Sequence, residues 1–311
     1  MTDEYDVLVL GSGPAGAMTA IYAIRNGLKT LMFTGPSVGG QLTSTPEVEN
    51  FPAFPNPVTG ADLAARIFEQ SKNIGVKVLY DSAMAVDFSS RPFICKTLDH
   101  MYYSRNLVIA TGATPRSLGV EGEEKFRGFG VSSCAVCDGN FFRNQPVAVV
   151  GGGETAAVEA LHMAHLASRV YLIYRKNKFS RMSETIVRRL ESNDKIDIRF
   201  NSEVLEICGE ERPKSVESIK IIDTKTKQID EIGVQAVFAA VGIEPQSGLF
   251  LDSGLNIDDK GYIMTEKDSA RTNIRNVYAV GDVVNKKYKQ AVIAAGYGAI
   301  AALEIMEDCA L

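Results

Sequence analysis

Two glycine-rich turns, each set between an apolar run and a helix-forming stretch, constrain this chain more than any other feature. Asp6–Leu10 (DVLVL) is a short apolar run ending at Gly11-Ser12-Gly13-Pro14-Ala15-Gly16. A helix-compatible stretch follows from Pro14 to Arg25 and meets the stop signal Asn26-Gly27, after which Leu28–Phe33 regains strand character. That is a β-α-β unit. The same grammar recurs where Pro146–Val150 (PVAVV) leads into Gly151-Gly152-Gly153-Glu154-Thr155-Ala156, an Ala-rich helix to about Ala167, and a strand over Arg169–Tyr174. The spacing G-x-G-x-x-G has a physical logic: one glycine makes the turn, one admits a pyrophosphate, and one lets helix and strand pack closely. The helix N-terminus then offers oriented N–H groups to the phosphates. Gly11, Gly13 and Gly16 satisfy the spacing, and Gly151, Gly153 and Ala156 satisfy its G-x-G-x-x-A variant. The sequence therefore predicts an α/β protein with two nucleotide-binding modules; the plainer alternative is a pair of tight turns.

The nucleotides are less directly readable. An NAD-type loop is followed about 20 residues on by an acid that binds the ribose hydroxyls. After the second loop the strand ends instead in Tyr174-Arg175-Lys176, with Lys178 and Arg181 nearby. Cations there suit a 2′-phosphate and so NADP, the alternative being an ordinary solvated basic turn. The first module's second strand ends at Thr34-Gly35, again without an acid. Apolar runs at Leu107–Ala110, Val237–Val241 and Val277–Val280 each close on a glycine or on Thr111-Gly112. A strand ending in glycine lets backbone approach a cofactor closely. The stretch 41–57 reads as a long irregular loop. A last helix, about Ala291–Glu307, carries the small-residue pattern AVIAAGYGAIAAL, suited to close packing.

Between the modules sits the stretch Ser132-Ser133-Cys134-Ala135-Val136-Cys137-Asp138-Gly139. A C-x-x-C pair can be redox-active, half of a zinc site, or chance. Zinc needs four ligands, yet Cys95, Cys208 and Cys309 stand alone and His162 and His165 read better as helix-surface or packed residues. Between two nucleotide loops the pair reads as a dithiol that receives electrons through cofactors. Its environment can lower a thiol pKa into the neutral range. With only three His in the chain, Asp138 is the evident acid–base partner, or else a turn cap.

Composition fits this. At 311 residues the chain holds about two domains of roughly 100–200 residues. A net charge of -5 argues against a nucleic-acid surface. No apolar run approaches the ~18 residues of a membrane span. Five cysteines at irregular spacing do not suggest a disulfide framework. With an acidic start that carries no secretory leader, a cytoplasmic protein is expected.

The motifs resemble one family closely over nearly the whole chain: the low-molecular-weight, bacterial-type thioredoxin reductases, of the class II pyridine nucleotide-disulfide oxidoreductases. The carrying residues are GSGPAG at 11–16, GGQLTST at 39–45, EVENFP at 47–52, ATGATPR at 110–116, CAVCDG at 134–139, GGGETA at 151–156 and GDV…YKQAVIAAGYGAIAAL at 281–303. The resemblance implies two Rossmann-like domains, a discontinuous FAD domain over about 1–116 and 246–311 with an NADPH domain inserted at 117–245. FAD would be held by the 11–16 loop, by Gly35 and by Gly39, Gly40, Gln41 and Leu42. Asn50, Val86, and Ala110 with Thr111 and Gly112 would add to it, as would Gly281 and Asp282 with Gln290 and Ala291. NADPH would take Gly151, Gly153, Glu154, Thr155 and Ala156, with Arg175, Lys176 and Arg181 at its 2′-phosphate. Electrons would pass from NADPH to FAD, to a Cys134–Cys137 disulfide and on to thioredoxin, Asp138 acting as the acid. The subunits would form a homodimer, and one domain would rotate between the two half-reactions.

The chain departs from the family's H-R-R-x-x-F-R-A, reading Tyr174-Arg-Lys-Asn-Lys-Phe-Ser-Arg181; Glu154 and Lys289 also differ from the usual residues. These changes are expected to touch donor binding, leaving NADH or ferredoxin as alternative donors. A different disulfide substrate, or a non-catalytic flavin redox sensor, completes the alternatives.

Overall fold

The computed structural model describes residues 4–45, 47–180 and 182–310. The chain divides into two compact units: the stretches up to Thr114 and from Glu244 onward make the first, and Pro115–Ile243 makes the second.

The first unit opens with β1 (Glu4–Leu10), α1 (Pro14–Arg25) and β2 (Thr30–Phe33), as the glycine-loop grammar predicts. It continues through α2 (Gly60–Asn73), β3 (Lys77–Leu79), β4 (Ala85–Asp87), β5 (Phe93–Lys96), β6 (Met101–Ile109) and β7 (Ala113–Pro115). The sheet runs β3-β2-β1-β6-β5-β4, with β1 parallel to both β2 and β6. Val7 and Val9 face a core with Ala17, Ala20 and Ala23 of α1, while Leu8 and Leu10 face a second core with Phe33, Phe93 and Ile109. Burial on both faces is why β1 reads as a continuous apolar run rather than an alternating one.

The second unit repeats the plan. After β8 (Val131–Ser132) and the single turn α3 (Ala135–Asp138) come β9 (Pro146–Val150), α4 (Glu154–Leu166), β10 (Arg169–Tyr174), α5 (Glu184–Glu191) and β11 (Ile196–Phe200). Next are β12 (Ser202–Glu211), β13 (Lys214–Asp223) and β14 (Ile229–Gly233), an antiparallel meander, and then β15 (Ala236–Ala239). The parallel sheet runs β11-β10-β9-β15-β8. Helix α4 covers one face through Ala156, Ala160 and Met163; the meander covers the other through Val216, Ile219 and Ile221.

The chain then returns to the first unit through β16 (Ile243–Pro245), β17 (Val277–Ala279) and α6 (Ala291–Ala310), with β17 paired to β6. Helix α6 runs beyond the expected end at Glu307. Its small residues let it lie against α1: a Cβ on Gly298 would fall 2.1 Å from the Ala15 carbonyl oxygen, and Thr19 donates to the Gly298 carbonyl at 3.0 Å. The stretch expected to be irregular, 41–57, holds most of a 3-10 turn at Gly40–Ser44, entered through Gly39 at φ 85°. Val48 and Val58 form an isolated antiparallel bridge across it.

Candidate active site

In the first unit several of the expected cofactor residues are tied to the loop at the N-terminus of α1. Gly11 N–H donates to Phe33 O at 3.0 Å, and Ala110 N–H to Leu10 O at 3.0 Å, closing the loop onto the strand ends. Gly11 has φ +120°, and a Cβ there would sit 2.3 Å from Ala110 O; one on Gly16 would sit 1.9 Å from Gly11 O. Nothing larger than glycine fits these two places. Ser12, buried, donates to Thr34 O at 2.9 Å and accepts from Gly39 N–H at 3.1 Å, tying the loop to the Gly35 and Gly39–Leu42 segments. Asn50 meets Gln290 at 3.2 Å, just ahead of α6 and its first residue Ala291. Thr111 donates to Gln246 O at 2.6 Å, and Gly112 O accepts from Gln246 N–H at 2.9 Å. Gly281, at φ +73°, lies against Ala15.

Lys289 lies in the first unit. Its ammonium donates to Asp282 O at 3.1 Å and Asn285 O at 2.6 Å. Burial pushes the Lys289 pKa down and the Asp282 pKa up, each opposed by the other's charge. Val86 stands apart: it pairs with Cys95 and packs in the core of Leu10 and Phe33, across the sheet from Ala15. Gly13, at the N-terminus of α1, has no side-chain cap hydrogen bond. This glycine-lined cradle at an uncapped helix end fits a dinucleotide diphosphate.

The second loop is built on the same bonds. Gly151 N–H donates to Ile173 O at 3.0 Å and Ala240 N–H to Val150 O at 2.9 Å, and a Cβ on Gly151 would meet Ala240 O at 2.4 Å. Ala156 is buried, and Gly153 caps α4 with no side-chain bond. Glu154 and Thr155 are exposed, so that carboxylate is free to point to water. The Tyr174 ring stacks on Phe179 at 5.5 Å and fills the space a Cβ on Gly152 would take. Arg175 and Lys176 are exposed at the end of β10. Arg181 lies outside the described residues.

Cys134 and Cys137 are joined in a disulfide with Cα atoms 5.3 Å apart. Both are half-buried, and Val136 between them is exposed. Cys134 Sγ accepts from Cys137 N–H at 3.2 Å. Asp138 is buried, which raises its pKa; a hydrogen bond from Ser132 opposes the rise. Its Oδ1 has no partner. Two residues went unread in the sequence. Ser132 contacts Asp138 Oδ2 at 2.5 Å and accepts from Cys134 N–H at 3.0 Å. Glu159 of α4 is buried beneath α3, where it accepts from the Ala135 amide; burial pushes its pKa up to about 7, and its Oε2 has no partner. The sequence hints were a serine two places before the first cysteine and a carboxylate on the apolar face of α4.

The remaining thiols differ from this pair. Cys95 is buried, and burial pushes its pKa up to about 12. Among the described residues no group of three or more His, Cys, Asp or Glu is placed to hold a metal, and no helix is long and apolar enough to cross a membrane.

Two dinucleotide loops and a disulfide flanked by a buried acid define a nucleotide-dependent disulfide oxidoreductase. The chain belongs to the family described as pyridine nucleotide-disulphide oxidoreductase, which matches residues 5–298. That family implies a flavin and a nicotinamide cofactor. The chain is 44% identical over 299 residues to a thioredoxin reductase of Rickettsia conorii, covering 96% of each protein. Among solved structures it is similar to a thioredoxin reductase from Giardia duodenalis, with a TM-score of 0.94, 36% identity and full coverage of both chains. A thioredoxin reductase from Streptococcus pyogenes matches with a TM-score of 0.94 at 35% identity, over 100% of this chain and 99% of that one.

Proposed function

We propose that the chain is a thioredoxin reductase that carries electrons from NADPH through FAD to the Cys134–Cys137 disulfide and on to the disulfide of thioredoxin. The observation that carries this reading is the half-buried disulfide with the unengaged oxygen of buried Asp138 on the same turn. FAD is assigned to residues 1–116 with 246–311, where the glycine cradle and the Ser12 bridge supply backbone close enough to hold a diphosphate. NADPH is assigned to 117–245, its diphosphate at Gly151, Gly153 and Ala156 and its 2′-phosphate at Arg175 and Lys176. The protein is assigned as a cytoplasmic homodimer, on the strength of the family resemblance.

The flavin, when bound, supplies the two-electron step between donor and disulfide. The protein's own part begins with the reduced dithiol. One cysteine, as its thiolate, attacks a sulfur of the thioredoxin disulfide, forming a mixed disulfide and releasing a thioredoxin thiolate. The second cysteine then attacks the mixed disulfide, restoring the Cys134–Cys137 bond and releasing the second thioredoxin sulfur. Asp138, its pKa raised by burial, holds a proton to higher pH than an ordinary carboxyl and gives it to a departing thiolate.

The flavin-loaded protein is expected to reduce thioredoxin with NADPH, and Cys134→Ser or Cys137→Ser to abolish that turnover. Sustained turnover by either variant, followed by loss of NADPH absorbance, would sink the mechanism.

A further inference from the structure

Resting on that reading of Asp138, we infer that Ser132 is a positioning residue for the acid: its hydroxyl holds the carboxyl and the Cys134 backbone from a single atom and keeps Asp138 Oδ1 available to sulfur. A serine hydroxyl has one hydrogen and two lone pairs. One lone pair takes the Cys134 N–H at 3.0 Å. Toward Asp138 Oδ2, at 2.5 Å, the hydroxyl then has two options. It donates its hydrogen when the carboxyl is ionised, and it accepts the acid's hydrogen when the carboxyl is protonated on that oxygen. The contact survives in both states. Asp138 therefore changes its proton count without swinging away and without stranding Oδ2, which would be costly in a buried site.

Of the two Asp138 oxygens, the geometry leaves Oδ1 without a protein partner. When a thioredoxin thiolate departs, the carboxylic acid, carrying its proton on Oδ1, gives that proton to the sulfur. The Ser132 hydroxyl donates to Oδ2 before and after the transfer, and the charge that leaves the sulfur is held on a hydrogen-bonded Asp138. Deleting the hydroxyl leaves burial unopposed, so the Asp138 pKa rises further. The form that can give a proton then persists to higher pH, while the carboxylate formed after transfer is less well held.

Few other charges face this turn. On β8 the neighbour is Val131, and the β15 residue paired with Ser132 is Phe238. On α4, Glu159 accepts from the Ala135 amide, and His162 and His165 lie further along the helix, the His162 pKa lowered first by burial and then by His165. Arg143, in the segment that follows, is exposed and donates to Asn140 Oδ1 at 3.1 Å.

The test is a double-mutant cycle on reduced, flavin-loaded protein mixed with oxidised thioredoxin, with flavin reduction by NADPH measured as a separate readout. Asp138→Asn is expected to slow thioredoxin reduction about 100-fold. Ser132→Ala is expected to slow it about tenfold, to move the alkaline limb of its pH profile upward, and to leave the flavin-reduction rate unchanged. In the Asp138→Asn background Ser132→Ala should cost less than twofold more, because it acts through that carboxyl. Ser132→Thr, which keeps the hydroxyl, should restore rate and profile. An equal tenfold loss in both backgrounds overturns the inference while the acid role of Asp138 stands. A wild-type rate in Asp138→Asn overturns both. If alanine prevents folding, judged by flavin content, Ser132→Gly removes the same hydroxyl and reads the same cycle.

Discussion

The two glycine loops share a construction and differ in what is built over them. In each, the first glycine bonds to the end of the second strand and a neighbouring strand's alanine amide closes onto the first. The third small residue then separates them. At Gly16 a methyl would meet Gly11 O at 1.9 Å, whereas the second loop carries Ala156 and accommodates its methyl. One turn further along each helix the equivalent positions are Thr19 and Glu159. Thr19 is buried and donates to Gly298 O, locking α6 over α1. Glu159 is buried, bound to the Ala135 amide, and keeps one oxygen unpartnered beneath the disulfide turn. The first loop is thus closed in by Ser12, Gly39 and Gly298. The second keeps Glu154, Thr155, Arg175 and Lys176 exposed. A closed cradle suits a resident cofactor, and an open one suits a cofactor that must leave after each turnover.

The largest expected effect breaks the closed loop. Gly16→Ala drives a methyl into the carbonyl of Gly11, and backbone on both sides leaves it little room to relax. Overpacking of this kind costs about 3 kcal/mol, and the variant should purify with little flavin. Ala156→Gly, the reverse change in the second loop, removes a methyl that fits and costs about 1 kcal/mol through helix propensity. Thermal melts and flavin absorbance check the pair. Equal losses in the two loops would show that they are closed to the same degree.

A second difference is electrostatic. Glu159 has its pKa pushed from 4.5 to about 7 by burial. A carboxyl raised in the fold adds stability that is fully present below pH 4.5 and is lost as pH rises through about 7. The loss amounts to about 3 kcal/mol at most. Glu159→Gln, neutral throughout, should flatten the pH dependence of unfolding over that window and be the more stable protein at pH 8. Thr19 carries no such dependence. A wild-type slope in the glutamine variant would place the titration elsewhere.

Much of this difference could be read from the chain and some could not. The loops were legible because a turn that rejects a Cβ demands glycine locally, as at Gly11, Gly16 and Gly151. The disulfide pair was legible for a related reason: two cysteines one turn apart need no tertiary knowledge to be brought together. The β12–β14 meander was not, because register shifts at Val204/Glu206 and Cys208/Gly209 interrupt its period-two alternation. Ser132 and Glu159 were missed for another reason. Their importance comes from what lies opposite them, the Asp138 carboxyl and the Ala135 amide, and a lone serine or a helix glutamate carries no mark of its partner. Lys289 was read as touching donor binding because it stands where the family has an arginine; what its ammonium meets, the carbonyls of Asp282 and Asn285, is set by the folded loop and not by that comparison.

The smallest expected effect tests the open side. Lys176 is exposed and offers a point charge, where arginine would offer a fork to a phosphate. An exposed charge contact is worth less than about 1 kcal/mol, so Lys176→Arg should lower the KM for NADPH about threefold and leave kcat and the melting temperature unchanged. NADH lacks the 2′-phosphate, so its KM should not move. That pattern requires the second loop to be a solvated, exchanging site in which side chains add to binding without holding up the fold. An equal fall in KM for both donors would mean that Lys176 meets a part of the nucleotide common to both, and the basic end of β10 would lose its role in choosing between them.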